Sequence, residues 1–218
     1  MRLLLPYSPF VLEDRTVCII GLANKAGGFT GHDAYLARVF GNLAAISLRN
    51  SGRLEKLREL SRSDVLTGCF NRRGGVGCLD HELSRIGRTG TALAVIMFDI
   101  DEFKAVNDFY GHDTGDQVLQ EIAEVATKNM READILIRWG GEEFLVVAPD
   151  TDMESAAVLA ERLRKTIAGN KFSGPGKITA SFGIAQYQKG DRRDSLIDRA
   201  DRYMYLAKQK GRNRVEPV

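Results

Sequence analysis

Thr91-Ala92-Leu93-Ala94-Val95-Ile96-Met97-Phe98, followed at once by Asp99-Ile100-Asp101-Glu102-Phe103-Lys104, is the stretch that decides the fold. An apolar run of this length without polar alternation suits a central strand covered on both faces. It ends abruptly in carboxylates. Outward from it, Val118, Leu119, Ile122, Val125 and Ala126 keep a helical period. Ile135–Trp139 and Phe144–Ala148 read as two strands joined by Gly140-Gly141-Glu142-Glu143. Ala156, Leu159, Ala160, Leu163 and Ile167 mark another helix, and 177–187 another strand. Leu196, Ile197, Ala200, Tyr203, Met204 and Ala207 mark a last helix. A hairpin set among crossover helices predicts an α/β sheet with one reversed strand.

The chain has 218 residues, and 31 Lys and Arg against 29 Asp and Glu leave a net charge of only +2. That balance argues against a nucleic acid or an acidic membrane surface as partner, since both are held mainly by bulk electrostatics. Cys18, Cys69 and Cys78 form no CxxC pair and read as reduced thiols. No run approaches the roughly 20 apolar residues of a membrane span. The apolar start breaks at Pro6 with no small-residue cleavage site after it, so a cytoplasmic protein without membrane insertion is expected.

Before the catalytic-sized region, Thr16–Leu22 reads as a strand and 24–28 as a turn. A helix follows, capped by Thr30 or by His32-Asp33. Leu36, Val39, Leu43, Ile46, Asn50, Arg53, Leu57 and Leu60 keep the alternating three and four spacing of a two-stranded coiled coil. Asn50 can fix register; Arg53 and Gly52 weaken the seam. A single amphipathic helix is the other reading. The expected organisation is 1–32, a short strand and turn; 33–63, a helical linker; and 64–218, one domain.

Two acidic groups carry the chemistry. Asp99 taken alone reads as a helix cap, and Asp101 as facing water. If the hairpin pairs beside the central strand, however, its turn lies level with that strand's end. Asp99 and Glu142 then converge on Mg²⁺ (or Mn²⁺), with the Ile100 carbonyl as a further hard oxygen ligand. The glycines of the turn let a bulky phosphorylated ligand approach the backbone. In Asn107-Asp108-Phe109-Tyr110-Gly111-His112-Asp113-Thr114-Gly115-Asp116, Gly111 and Gly115 read as turns, and His112 as a loop or packing residue. Asn107 and Asp116 are left over, and an amide with a carboxylate suits guanine. Lys208, Lys210, Arg212 and Arg214 close the last helix and supply charge for a triphosphate.

These motifs together resemble the GGDEF family of diguanylate cyclases. The resemblance rests on Asp64-Val65-Leu66-Thr67, FDIDEFK at 98–104, NDFYGHDTGD at 107–116, RWGGEEF at 138–144, SFGIA at 181–185 and ADRYMYLAKQKGRNR at 200–214. It implies a central sheet similar to the palm of nucleotide cyclases and polymerases, with an antiparallel GGEEF hairpin and flanking helices, preceded by a long signalling helix. It implies condensation of two GTP into cyclic di-GMP by a homodimer. Asp99 and Glu142 correspond to metal-ligand side chains, the Ile100 carbonyl to a main-chain ligand, and Glu143 to an auxiliary acid. Asn107 and Asp116 correspond to guanine readers. The backbone at Phe103 and Lys104, with Lys208 and Arg212, corresponds to phosphate contacts. Arg131 and Asp134 stand at the family's inhibitory product site, to which Arg162 of a second domain could contribute.

The chain departs from the family's pattern in places. Cys69 stands for the usual Leu, Trp139 fills a variable position, and Gly74, Gly75 and Gly77 weaken the start of a helix at about 1 kcal/mol each. The first ~50 residues resemble the last strand and helix of a GAF domain. The alternative readings are a catalytically silent GTP or cyclic di-GMP-binding module, a mixed-purine cyclase, or a purely dimerising element.

Overall fold

The computed structural model describes residues 8–12, 15–20, 28–60 and 62–217. It divides into two compact units, 1–61 and 62–218. In the first, β1 (Ser8–Leu12) and β2 (Arg15–Ile20) pair antiparallel, with an irregularity between Phe10 and Val11. A long helix follows, α1 (Gly31–Leu60). Thr30 and Asp33 cap it reciprocally. The Thr30 N–H donates to Asp33 Oδ2 at 2.7 Å, and the Asp33 N–H donates back to Thr30 Oγ1 at 3.4 Å. Leu36, Val39, Leu43 and Ile46 are all more than a third exposed, so among the described residues this part of the stripe is only partly covered. The side chains of Asn50, Arg53, Leu57 and Leu60 lie outside the described residues, as does most of the expected turn at 24–28.

The second unit runs β3 (Phe70–Asn71), α2 (Arg72–Thr89), β4 (Leu93–Ile100), α3 (Phe103–Tyr110), α4 (His112–Lys128), β5 (Ile135–Arg138), β6 (Glu143–Pro149), α5 (Met153–Gly169), β7 (Ala180–Gln186), α6 (Arg193–Gln209) and β8 (Val215–Glu216). The strands form one sheet in the order β3-β5-β6-β4-β7-β8. Every residue of β4 is buried, as its unbroken apolar run requires. Ala94, Ile96, Phe98 and Ile100 face a core built with α3, α4 and α5. Leu93, Val95 and Met97 face a second core with α2 and α6. Phe98 stacks between Phe144 and Phe182, with ring centroids 5.1 and 4.9 Å away, and locks β6 and β7 to the middle strand.

Three expectations need correcting. The sheet has more than one reversed strand, because β4 runs antiparallel to both its neighbours and β5 antiparallel to β6. The α5 crossover returns β7 parallel to β6 on the far side of β4, and only the β3–β5 and β7–β8 edge pairs are parallel. Gly115 is not in a turn. The chain breaks only at Gly111, where φ is 84°, and Gly115 lies inside α4, where a Cβ would overlap the Asn107 side-chain oxygen. The start of α2 is likewise well formed. Asn71 Oδ1 accepts from the Gly74 N–H at 2.9 Å. Gly74 lies against the Arg62 carbonyl, and a Cβ on Gly75 would sit 2.5 Å from Ile137, so propensity is traded for close approach.

The same logic governs α6. A methyl on Gly183 of β7 would overlap the Ala200 carbonyl and the Met204 N–H. Gly183→Ala should therefore lower unfolding stability by on the order of 3 kcal/mol in a denaturant titration. Gly87→Ala, in α2 with open space around it, should be neutral or stabilising by about 0.5–1 kcal/mol. Equal midpoints for the two variants would contradict the close crossing of α6 over β7.

Candidate active site

Strand register builds the acidic end of the sheet. Asp99 is paired with Glu143 on β6 and with Ser181 on β7. The Ile100 N–H donates to the Glu142 carbonyl at 3.3 Å, which fixes the hairpin turn level with the end of β4. Asp99 is buried, and Lys208 Nζ from the last turn of α6 lies 2.8 Å from its Oδ2. Burial raises the pKa of Asp99; the Lys208 hydrogen bond and charge oppose it, and Asp101 and Asp201 add to it. Glu142 is raised by burial and then by Asp99, and Glu143 by burial and then by Asp99 and Asp201. Three crowded carboxylates thus share essentially one nearby ammonium.

A hard divalent cation fits that excess charge. The donors on offer are all oxygens: the Asp99 and Glu142 carboxylates and the Ile100 carbonyl. Among the described residues no three His, Cys, Asp or Glu side chains could hold an ion by themselves. The remaining coordination positions would then fall to water or to a ligand's oxygens, as is usual for Mg²⁺. Glu143 also borders a cavity of about 350 Å³ with Arg72, Trp139, Asp194, Asp198 and Asp201. Arg72 lies over the Trp139 ring at 4.5 Å, which gives the bulky Trp139 a partner.

Arg138 holds the turn itself. Its Nε and Nη2 donate to the Gly141 carbonyl at 3.1 and 2.8 Å, and its Nη1 donates to both oxygens of Asp64 at 3.1 and 3.3 Å. Asp64 also accepts from the Thr67 N–H and hydroxyl. Burial pushes the Asp64 pKa up, but these bonds outweigh it and hold the carboxyl below its ordinary value.

On the other face, Phe103, Lys104 and Asn107 sit on α3 and Asp116 on α4. Asn107 is half-buried against Gly115, the residue before the exposed Asp116. The residue before α3, Glu102, has φ of 58° and supplies no side-chain cap. The first N–H groups of a helix have no intrahelical partner. Those of Phe103 and Lys104 are therefore suited to an anion. Lys208 and Arg212 separate: Lys208 is held at Asp99, whereas Arg212 is exposed on a cavity of about 500 Å³ with Asp101, Glu102 and Lys177.

Arg131, Asp134 and Arg162 line one cavity of about 230 Å³. Arg162 therefore joins the other two within a single domain, not only from a second one. Asp134 Oδ2 accepts the Arg131 N–H at 2.8 Å, and Arg162 Nε donates to the Asn129 carbonyl at 3.0 Å. The sequence reading misses Arg138 and misplaces Asp101, which is buried. The hydroxyls that hold it, on Thr179 and Ser181, flank the start of β7, far from Asp101 in the sequence.

The mixed sheet, whose middle strand ends in buried carboxylates beside a glycine turn and a lysine from the last helix, defines an α+β domain with an acidic end suited to a divalent cation. Residues 61–214 match the model of the family described as diguanylate cyclase, GGDEF domain, and the chain belongs to that family. It is 41% identical over 174 residues to the response regulator PleD of Caulobacter vibrioides, covering 77% of this chain and 38% of that protein. It is 33% identical over 219 residues to diguanylate cyclase A of Treponema denticola, covering 96% and 58%. The chain thus spans less than two thirds of these relatives' lengths. The coiled coil and GGDEF domain of DgcB from Caulobacter crescentus, crystallised with c-di-GMP, superposes with a TM-score of 0.69 at 31% identity, covering 83% of this chain and 97% of that one.

The raised carboxylates predict a pH-dependent response to cations. An acid whose folded pKa is raised contributes stability below its unfolded pKa and loses it as pH rises through the folded value. Metal competes with those protons. The rise in Tm given by Mg²⁺ or Mn²⁺ should therefore be small near about pH 4.5 and grow toward about pH 7. Glu142→Gln should remove most of it. A Tm increment independent of pH would count against a carboxylate site.

Proposed function

We propose that the 62–218 unit condenses two GTP into cyclic di-GMP and two pyrophosphates. The carrying observation is the retention of Asp99, Glu142 and Glu143 together at one end of the sheet, facing Lys208. The names of the relatives and of the DgcB complex support the same substrate and product.

Asn107 and Asp116 read guanine: the acid accepts from N1–H and the 2-amino group, and adenine offers no such pair. The N–H groups of Phe103 and Lys104, with Arg212, hold phosphate oxygens, and Lys208 adds charge beside them. Asp99, Glu142 and the Ile100 carbonyl would hold Mg²⁺ or Mn²⁺, which when bound would supply charge stabilisation at the transferring phosphate worth on the order of several kcal/mol. Each domain holds one GTP, so two domains meet face to face. The 3′-oxygen of one nucleotide bonds to the α-phosphorus of the other, the bond from that phosphorus to the bridging oxygen breaks, and pyrophosphate leaves. Glu143 is the auxiliary carboxylate at this centre, its raised pKa suited to taking up the hydroxyl proton. A second identical step closes the ring.

Aligning both nucleotides could supply about 7–11 kcal/mol, which makes dimer geometry the control point. The exposed Leu36, Val39, Leu43 and Ile46 of α1 are suited to a parallel two-stranded stalk. The cavity of Arg131, Asp134 and Arg162 takes the product's phosphates and guanine, giving feedback inhibition. Among the described residues no helix is long and apolar enough to cross a membrane, and we place the activity in the cytoplasm.

Incubation with GTP and Mg²⁺ should yield cyclic di-GMP by mass, at a rate per monomer that rises with protein concentration, and Glu142→Ala should abolish it. No cyclic dinucleotide at any concentration, with Glu142→Ala matching wild type, would instead identify a silent binding module. Arg131→Ala should leave initial turnover intact and relieve inhibition by added cyclic di-GMP; unchanged inhibition would remove that assignment.

A further inference from the structure

We propose that Asp101 is a positioning residue whose buried carboxylate fixes the Gly211–Arg214 turn and thereby aims Arg212 at the triphosphate, an inference that rests on the GTP-binding reading above. Asp101 is 7% exposed. Its Oδ2 accepts the Thr179 hydroxyl at 2.6 Å and the Asn213 N–H at 3.1 Å, and its Oδ1 accepts the Ser181 hydroxyl at 2.7 Å. Its own N–H donates to the Thr179 carbonyl at 2.9 Å. One side chain therefore ties the end of β4 to β7 and to the turn after α6.

The turn needs such a tie. Gly211, Arg212 and Asn213 have successive φ values of 109°, 62° and 45°. Non-glycine residues in that region persist only where the surroundings over-determine them. Other restraints tie the turn to α6, β7, α5 and β8: the Arg212 N–H donates to the Ala207 carbonyl at 3.0 Å, the Phe182 N–H to the Arg214 carbonyl at 2.8 Å, Arg164 Nη1 to Asn213 Oδ1 at 2.8 Å, and Lys210 Nζ to the Glu216 carboxylate at 2.9 Å. Among the described residues, Asp101 alone joins the turn by a hydrogen bond to the end of the strand that bears Asp99 and Ile100. Asp101 and Arg212 also border the same cavity of about 500 Å³ with Lys177.

The choice of an acid is informative. Among the described residues no salt bridge reaches Asp101, so its burial is supported by hydrogen-bond donors alone. A buried carboxylate without a counter-ion is a poor choice for stability by itself. It is a good choice for gathering three donors, since both its oxygens only accept. An amide in its place keeps one accepting oxygen, so the Asn213 N–H loses its acceptor where the NH₂ turns toward it, and the bonds that remain lose the strength that an ionised acceptor gives.

The test compares wild type, Asp101→Asn, Arg212→Ala and the double variant by steady-state kinetics and by calorimetric binding of GTP and of GMP, which lacks the outer phosphates. Asp101→Asn should raise KM for GTP about tenfold with kcat within about threefold, leave GMP affinity unchanged, and add nothing to Arg212→Ala in the double variant. Should Asp101→Asn not fold, Thr179→Val, which removes one bond to the carboxylate, should raise KM about threefold with the same split. Equal losses of GTP and GMP affinity, or additive penalties, would overturn the positioning role while leaving the GTP site standing. A wild type that binds neither nucleotide would overturn the underlying reading, and this inference with it.

Discussion

The site depends on one constraint: Asp99 is buried at the end of a strand that cannot move. A carboxylate out of water is tolerated only if something nearby favours its charge. The core supplies that partner indirectly. Gly183 has no side chain, so α6 settles directly onto β7, with Ala200 and Met204 against the strand. That depth of docking places Lys208, about one helical turn beyond Met204, at 2.8 Å from Asp99. The electrostatics at the end of the sheet thus follow from a packing decision well inside it. Phe98 acts in the same way on the other face, because its stacking on Phe144 and Phe182 holds the residues flanking Asp99 in register.

The turn that carries Glu142 is fixed from outside the core. Two adjacent glycines would leave it loosely defined, since glycine restricts the backbone least. Arg138 compensates by gripping the Gly141 carbonyl with two donors and Asp64 with a third. Asp64 lies near the start of the second unit, so the beginning of that unit and the turn bearing a candidate metal ligand share one guanidinium. An arginine suits this better than a lysine, because the planar fork can address two acceptors at once.

Much of this was legible in the sequence, and the failures share a cause. β4 and β6 could be read because strands buried on both faces carry unbroken apolar runs. The helices were legible from stripes such as Ala156, Leu159, Ala160 and Leu163, all of which are buried. Glycine was ambiguous. Gly111 marks a turn, whereas Gly74, Gly75 and Gly115 mark close approach, and nothing local distinguishes the two uses. Sheet polarity was hidden because helical patterns do not say on which side of β4 the next strand returns. β3 and β8, at two residues each, carry too little pattern to be seen. At the site, the pairing of Asp99 with the hairpin could be argued from the register of two runs. Asp101 could not, because its partners at Thr179, Ser181 and Asn213 are distant in sequence.

Helix α5 places a mechanical limit on the unit. Residues two apart on a helix point some 200° away from each other. Arg162 accordingly reaches the Asn129 carbonyl beside the cavity of Arg131 and Asp134, while Arg164 reaches Asn213 in the turn that bears Arg212. Glu161 grips Arg164 with both oxygens at 2.7 Å, and that hydrogen bonding holds its pKa down against the effect of burial. The apolar face of the same helix, through Leu163 and Ile167, is fully buried against the sheet. A slide of α5 along its axis by even one residue, about 1.5 Å, would stretch both arginine contacts and misalign that buried face together. The cavity and the turn are therefore braced by one rigid element, and the geometry of each constrains the other.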